Sequence, residues 1–122
     1  MEKQKVYLAG GFDSQWRSKI KSLSNVIFFD PQFKPDKHWS EYGTWDIHYI
    51  KQCDIVFGYM GVTNPSGYGL SAELGYARAL NKTVILVLES GHAKDRYLQF
   101  LKIMADVVYD DMDKGIEFLK TF

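Results

Sequence analysis

Five short apolar runs that alternate with segments of helical spacing limit the possible folds of this chain more than any other feature. We predict strands at residues 5–9, 26–29, 54–58, 83–88 and 107–109. Strands that alternate with helices form right-handed βαβ crossovers and a parallel sheet that helices cover on both faces. We therefore predict an α/β, flavodoxin-like three-layer sandwich. Its five-stranded parallel sheet has the order 2-1-3-4-5, and residues 1–122 form a single domain.

The segments between the strands carry the helix signals. Asp13 and Ser14 are candidate caps for a helix whose apolar positions are Trp16, Ile20 and Leu23. Further helices are predicted at residues 45–52, from about 73 to about 80, at 95–104 and at 111–120. Residues 32–42 are predicted to form a loop over the top of the sheet.

Composition excludes several classes of function. The 122 residues include 15 basic and 15 acidic side chains, and a net charge of zero does not indicate binding to a nucleic acid polymer. No apolar run is long enough to span a membrane and none resembles a signal peptide, so we expect a soluble protein in a reducing, cytoplasmic compartment. The only cysteine, Cys53, is expected in the core. The aromatic content of 16% is high, and such side chains concentrate in pockets and subunit interfaces.

Known cofactor motifs are missing from the sequence. Gly10-Gly11 lacks the spacing of a dinucleotide fingerprint, and no nucleoside triphosphatase motif is present. The three histidines, His38, His48 and His92, do not have metal-ligand spacing, so no metal is predicted.

Ligands of doubly wound sheets bind at the carboxyl ends of the strands, beside the switch point between strands 1 and 3. The turn Gly10-Gly11-Phe12 and the loop at residues 58–69 should meet there, together with the start of the helix that bears Asp46. Glu73 should lie at the same edge. We place it in the first helical turn, where the helix dipole would keep its carboxylate ionised. The alternative is that Glu73 only stabilises this first turn.

Two acids and a tyrosine are the strongest candidates for catalysis. Two carboxyl groups beside a sugar, one as nucleophile and one as proton donor, perform glycoside cleavage through an oxocarbenium-like transition state. Glu73 and Asp46 could serve in this way on a nucleoside, with Asp46 protonating a ring nitrogen of the leaving base. The Tyr7 hydroxyl could hold the Glu73 side chain in position.

These residues carry a resemblance to a known family. The relevant segments are Val6-Tyr-Leu-Ala-Gly10, Asp46 ahead of Asp54-Ile-Val-Phe-Gly58, and Gly69-Leu-Ser-Ala-Glu73-Leu-Gly-Tyr-Ala-Arg-Ala-Leu80 followed by Lys82-Thr-Val-Ile-Leu-Val87. Over residues 5–88 the chain resembles the nucleoside 2-deoxyribosyltransferase family.

The resemblance implies a flavodoxin-like enzyme without a cofactor. It cleaves the N-glycosidic bond of a 2′-deoxynucleoside through a glutamyl-deoxyribosyl intermediate and transfers the sugar to another nucleobase. Glu73 is implied as the nucleophile, Asp46 as the proton-transfer acid and Tyr7 as the residue that positions Glu73. The resemblance further implies a homo-oligomer, a dimer or a hexamer, in which a neighbouring subunit adds a polar residue to the pocket. The implied partner is a small-molecule deoxynucleoside or deoxynucleotide, not a membrane.

One departure from the family pattern leaves the substrate open. Gly67 stands where many transferases have a second aspartate that contacts the base. A sister group that lacks this aspartate hydrolyses 2′-deoxynucleoside 5′-monophosphates and binds the phosphate with a Gly-rich turn, a role that Gly10-Gly11 with Arg17 nearby could fill. Arg17 could equally lie on a solvent-exposed helix face.

The candidate substrate-binding residues are Gly10, Gly11, Phe12, Trp16, Gly67, Gly69 and Ser71. Phe12 and Trp16 could stack on the base or belong to the core. Two other functions remain open at this point. One is an NAD-cleaving domain of similar fold, which the sequence around Glu73 fits poorly, and the other is a non-catalytic nucleotide-binding domain.

Overall fold

A computed structural model describes residues 2–12, 15–33 and 38–122. The predicted cap residues Asp13 and Ser14 lie outside these described residues. The strands are β1 (Gln4–Gly10), β2 (Val26–Phe29), β3 (Ile55–Met60), β4 (Thr83–Leu88) and β5 (Val107–Tyr109). The helices are α1 (Trp16–Ile20), α2 (Trp39–Gln52), α3 (Tyr68–Ala79), α4 (Asp95–Leu98) and α5 (Met112–Leu119), with 3-10 segments at Pro31–Phe33 and Gln99–Met104.

The five strands form one parallel sheet in the order β2-β1-β3-β4-β5. This topology confirms the predicted flavodoxin-like α/β fold and places the switch point between β1 and β3. Within the described residues, no helix combines the length and apolar character that crossing a membrane requires.

Each face of the sheet has its own apolar core, because successive side chains of a strand point to opposite faces. In β1, Tyr7 and Ala9 belong to the cluster that includes buried residues of α2 and α3. Val6 and Leu8 belong to the other cluster, with buried residues of α1 and α5. Strand β1, which lies between β2 and β3, therefore presents Tyr7 to the two helices that carry Asp46 and Glu73.

Small residues allow the helices to approach the sheet closely. A Cβ atom at Gly58 would lie 3.1 Å from both Leu70 and Leu74 of α3. On the opposite face, a Cβ atom at Gly115 would lie 2.6 Å from Val87 Cγ2. Helix α3 is therefore held directly against the central strands, and its side chains have a defined position relative to the end of β1.

The main errors of the sequence analysis concern helix boundaries. Residues 39–42 are not a loop, because α2 begins at Trp39, with His38 as its N-cap and the His38 Nδ1 accepting a hydrogen bond from the Ser40 amide. The segment at 95–104 is α-helical only as far as Leu98 and continues as a 3-10 helix. The start of α3 at Tyr68 puts Glu73 in the second turn, so its predicted first-turn position is wrong.

Candidate active site

A cavity of about 560 Å³ opens at the carboxyl edge of the sheet beside the switch point. Its walls come from the turn after β1, from α2, from the loop between β3 and α3, and from α3 itself. The lining residues are Gly10, Gly11, Phe12, Gly43, Asp46, Ile47, Ile50, Asn64, Ser66, Gly67, Gly69, Leu70, Ala72, Glu73 and Tyr76. The cavity is the right size for a small ligand.

Glu73 projects from the second turn of α3 into this cavity, and Tyr7 supports it from β1. The Tyr7 hydroxyl donates a hydrogen bond to Oε2 of Glu73. Burial raises the pKa of Glu73 to about 7, while the hydrogen bond from Tyr7 opposes this rise. The predicted effect of the helix dipole is therefore not what sets the ionisation of Glu73. Desolvation dominates, and the carboxyl group titrates near neutral pH.

Asp46 contributes a second carboxyl group from α2. Its Oδ1 atom is buried and has no hydrogen-bond partner among the described residues. Burial raises the pKa of Asp46, while the charge of Arg17 acts in the opposite direction. Asp46 therefore favours the protonated form more than an exposed aspartate does. The structure thus brings Tyr7, Asp46 and Glu73 together from β1, α2 and α3.

The residues that follow Asp46 at helical spacing lie on the same side of α2. Ile50, one turn later, lines the same cavity, and Cys53 is buried in the core below it. The Cys53 thiol donates a hydrogen bond to the Ile50 carbonyl, and burial raises its pKa to about 11. Its burial confirms that Cys53 is a core residue.

The turn after β1 forms one wall of the cavity. Gly10 has a φ of 144°, and a Cβ atom there would lie 2.6 Å from the Tyr59 carbonyl oxygen, so only glycine fits this position. Phe12 lines the cavity and its side chain is 58% exposed, so its ring is available to a ligand. Trp16 does not line the cavity. Its buried ring packs against Phe57 and Tyr59, and its indole N–H donates to the Gly11 carbonyl.

The loop before α3 brings Gly67 and Gly69 to the cavity, but not Ser71. Gly67 has a φ of 80° and is the N-cap of α3. Its carbonyl accepts hydrogen bonds from both the amide and the hydroxyl of Ser71, and the Ser71 side chain is not part of the lining. Ser71 therefore stabilises the first turn of α3.

His92 supports the same loop from the segment after β4. Its Nε2 atom lies 2.6 Å from the Asn64 carbonyl oxygen, and its Nδ1 accepts a hydrogen bond from the Lys94 amide. The Lys94 ammonium in turn donates to the Pro65 carbonyl. This arrangement fixes a neutral tautomer with the proton on Nε2. Within the described ranges, no group of three or more His, Cys, Asp or Glu side chains could hold a metal ion.

Sequence reasoning missed several cavity residues. Tyr76 follows Glu73 by three positions, a spacing that places both side chains on one helix face. The helical pattern therefore predicts that Tyr76 lies beside Glu73. Gly43 was missed because α2 was predicted to begin only at residue 45. Ile47 lies inside the predicted helix, but it follows Asp46 directly, and adjacent helical positions do not share a face. Asn64 and Ser66 carry no pattern beyond that of an ordinary turn.

Comparisons with known proteins agree with this geometry. Residues 3–90 match the family described as nucleoside 2-deoxyribosyltransferase like. A search of curated protein sequences finds no significant match.

Three solved structures have the same fold. A 2-deoxyribosyltransferase from Bacillus psychrosaccharolyticus is 22% identical, with a TM-score of 0.70 over 97% of this chain and 91% of that one. A 2-deoxyribosyltransferase from Leishmania mexicana is 18% identical, with a TM-score of 0.74 over 97% of both chains. A CMP N-glycosidase from Clostridium botulinum is 20% identical, with a TM-score of 0.66 over 97% of this chain and 98% of that one.

The chain belongs to the nucleoside 2-deoxyribosyltransferase-like family, because the match covers well over half of its length. This confirms the family that the sequence analysis predicted, and with the family an enzymatic role.

Proposed function

We propose that this enzyme cleaves the N-glycosidic bond of a 2′-deoxynucleoside and transfers the sugar to another nucleobase. The observation that carries the proposal is the position of the Glu73 carboxyl group. It lies in the wall of a ligand-sized cavity, accepts a hydrogen bond from Tyr7, and shares the cavity with Asp46. A carboxylate nucleophile and a carboxylic acid proton donor are the two groups that cleavage of a glycosidic bond requires.

The proposed reaction proceeds in two steps. An ionised Glu73 oxygen forms a bond to C1′ as the C1′–N bond breaks, and the electron pair of that bond leaves with the base, which takes a proton from Asp46. A second base then attacks C1′ and gives a proton back to Asp46, and Glu73 leaves as carboxylate. The reactive form therefore carries one proton on the pair. Burial raises both pKa values, while the hydrogen bond from Tyr7 and the charge of Arg17 favour the ionised form of Glu73 that attacks.

The charges around the cavity favour a nucleoside over a nucleotide. Among the described lining residues there is no Lys, Arg or His, while two carboxyl groups face the ligand space. Arg17, the candidate phosphate ligand, is only 3% exposed and its guanidinium binds Asp30 and backbone carbonyls. A phosphate group would therefore meet negative charge without a cationic side chain from these residues.

Hydrolysis of a 2′-deoxynucleoside 5′-monophosphate is the second candidate. The Gly10-Gly11 turn lines the cavity, and its backbone could approach a phosphate closely. One protein of the same fold is a CMP N-glycosidase, which makes nucleotide cleavage a relevant alternative to test.

A substrate panel separates these functions. The enzyme is incubated with deoxyinosine, with and without adenine, and in parallel with deoxynucleoside 5′-monophosphates, and the products are resolved by chromatography. New deoxyadenosine supports the proposal, whereas free deoxyribose 5-phosphate supports the second candidate. Glu73→Ala should abolish turnover and the glycosyl adduct that intact mass spectrometry would detect. Loss of a covalent nucleophile raises the activation barrier by roughly several kcal/mol.

Glu117→Ala is the matched control, because Glu117 is exposed on α5 and pairs with Lys120 across one helical turn. It should retain activity. If Glu73→Ala turns over substrate at the rate of this control, Glu73 is not the nucleophile. If no substrate in the panel reacts but deoxynucleosides bind equally to both variants, a non-catalytic nucleotide-binding role replaces the proposal.

The homo-oligomer, too, remains a proposal. Large apolar side chains are exposed on the α4 segment and its 3-10 extension, at Tyr97, Phe100 and Ile103, and also at Tyr68 at the start of α3. Such a surface is typical of a covered interface. Light scattering coupled to gel filtration gives the mass, and a monomer at micromolar concentration would contradict an oligomer.

A further inference from the structure

Arg17 is a buried cation, although it belongs to the short helix α1 beside the protein surface. Its side chain is 3% exposed, and its Nε atom lies 2.9 Å from Oδ1 of Asp30, which is equally buried. Lys21 approaches the other carboxylate oxygen of Asp30 at 2.9 Å. The guanidinium also lies against the rings of Phe12 and Trp16, at 4.6 and 4.5 Å from their centroids. A charge in this position is costly unless its hydrogen bonds are satisfied.

Beside this ion pair, the hydrogen bonds of the Arg17 guanidinium go to the backbone at the end of β1. Nη1 donates to the Gly11 carbonyl at 2.6 Å, and Nη2 donates to the carbonyls of Gly10 at 3.1 Å and Leu8 at 3.4 Å. Gly10 and Gly11 form one wall of the cavity, and Gly10 has a backbone conformation that other residues rarely adopt. A rigid planar group with several donors can fix such a turn, which a lysine ammonium cannot do in the same way.

The positive charge of Arg17 also acts on the acids of the site. It lowers the pKa of Glu73 and of Asp46, against the larger effect of burial. The other groups that face Glu73 are the Tyr7 hydroxyl from β1, Asp46 from α2 and Tyr76 from its own helix. Arg17 is thus a cation behind the cavity wall, paired with Asp30, whose charge also acts on the two carboxyl groups of the site.

We propose that Arg17 is a positioning residue for the site at Glu73. Its hydrogen bonds fix the Gly10-Gly11 turn, and its buried positive charge stabilises the negative charge that Glu73 carries when it attacks. The inference rests on the proposed function in that Glu73 is the nucleophile. It assigns Arg17 a role different from phosphate binding, because the guanidinium is already occupied by protein atoms.

Two substitutions separate the two contributions. Arg17→Met removes the charge and the donors, so the pH profile of kcat/KM should move to higher pH by about one pH unit, with a loss of activity that is largest at acidic pH. Arg17→Lys keeps the charge but not the planar set of donors. The pH profile of Arg17→Lys should match that of the wild type, while its KM should rise because the Gly10-Gly11 wall of the cavity is less well ordered. Arg78→Met is the control, since Arg78 is exposed and pairs with Asp106 away from the cavity.

A titration of Glu73 itself gives a readout that needs no turnover. Carboxyl 13C chemical shifts of labelled glutamate, assigned with Glu73→Gln, report the pKa of Glu73 in the wild type and in each variant. The pKa should be higher in Arg17→Met and unchanged in Arg17→Lys and Arg78→Met. An unchanged pKa and pH profile in folded Arg17→Met would overturn the inference. If the wild type does not react with nucleosides but the pKa still moves, the proposed function fails while the electrostatic role of Arg17 stands.

Asp30→Asn covers the case in which Arg17→Met does not fold. This substitution removes a negative charge and leaves the guanidinium in place, so it should move the pKa of Glu73 in the opposite direction, to lower pH. An unchanged or higher pKa in Asp30→Asn would contradict the role of the Arg17 charge.

Discussion

The hydroxyl of Tyr7 donates a hydrogen bond to the carboxylate of Glu73, although the two residues are 66 positions apart in the chain. Tyr7 is completely buried, and both its burial and the negative charge of Glu73 raise its pKa far above the usual range. Tyr7 is therefore a permanent donor wherever the protein is folded. It stabilises the ionised form of Glu73 and fixes the direction of the carboxylate towards the cavity.

Tyr7→Phe should lower kcat by about 10- to 100-fold, since a hydrogen bond to a charged group is worth about 1.5–3 kcal/mol. The pKa of Glu73 should also rise, because Tyr7 opposes the effect of burial, so the pH profile should move to higher pH. Steady-state kinetics from about pH 5 to 9 check both effects. Tyr97→Phe, at an exposed position on α4, is the control. A reduced rate without any movement of the pH profile would mean that the Tyr7 hydroxyl orients the Glu73 carboxylate without setting its pKa.

Asp46→Asn should lower kcat by about 10²- to 10⁴-fold with natural nucleosides, the usual range for the loss of a general acid. The loss should be less than about tenfold with a 2-deoxyriboside whose nitrophenolate leaving group needs no protonation. Comparing the two substrates therefore separates proton transfer from binding. Asp113→Asn, at an exposed position on α5, serves as the control. Equal losses with both leaving groups would assign Asp46 to substrate binding instead.

Glu73→Gln should stabilise the protein increasingly as the pH rises. The pKa of Glu73 is raised from 4.5 to about 7 on folding, so the folded state binds its proton more tightly than the unfolded state. The stability contributed by this group is complete below about pH 4.5 and is lost as the pH rises through 7. Glu73→Gln does not lose this stability, because its side chain has no proton to release. Its advantage over the wild type in free energy of unfolding should grow by about 2–3 kcal/mol between pH 4.5 and 8.

Chemical denaturation at several pH values measures this difference, with Glu117→Gln as an exposed control. A difference between Glu73→Gln and the wild type that is constant across the pH range would show that the pKa of Glu73 is not raised in the folded protein.

Gly67→Ala should destabilise the protein by about 1–2 kcal/mol, because Gly67 has a φ of 80° that costs an L-residue energy. Its new methyl group would also lie 3.0 Å from Met60 Cε, which can move aside. Gly75→Ala is the matched comparison within the same helix. It has open space around it and a helical conformation, so alanine should stabilise by up to about 1 kcal/mol. Urea denaturation gives both values, and effects of the same sign would contradict the assigned conformations.

The fold was predictable because its signals are local. The strands at residues 26–29, 83–88 and 107–109 were predicted with their observed boundaries, since each is a short apolar run between turn residues. The start of α2 was not predicted correctly, because its N-cap is His38, and histidine does not indicate the start of a helix as Ser or Asp does. The start of α3 was also misplaced, because Gly67 caps it through its backbone conformation without a side-chain signal.

The sequence by itself determined the order of the strands and the identity of Tyr7, Asp46 and Glu73 as candidates, because periodicity and residue chemistry can be read one segment at a time. Only the tertiary structure decided that Trp16 is a core residue, that Arg17 is a buried cation bound to Asp30, and that the Glu73 carboxyl group titrates near pH 7. These properties depend on which distant segments exclude water from a group and which charges they bring beside it. That information is contained in the packing of β1 against α1, α2 and α3.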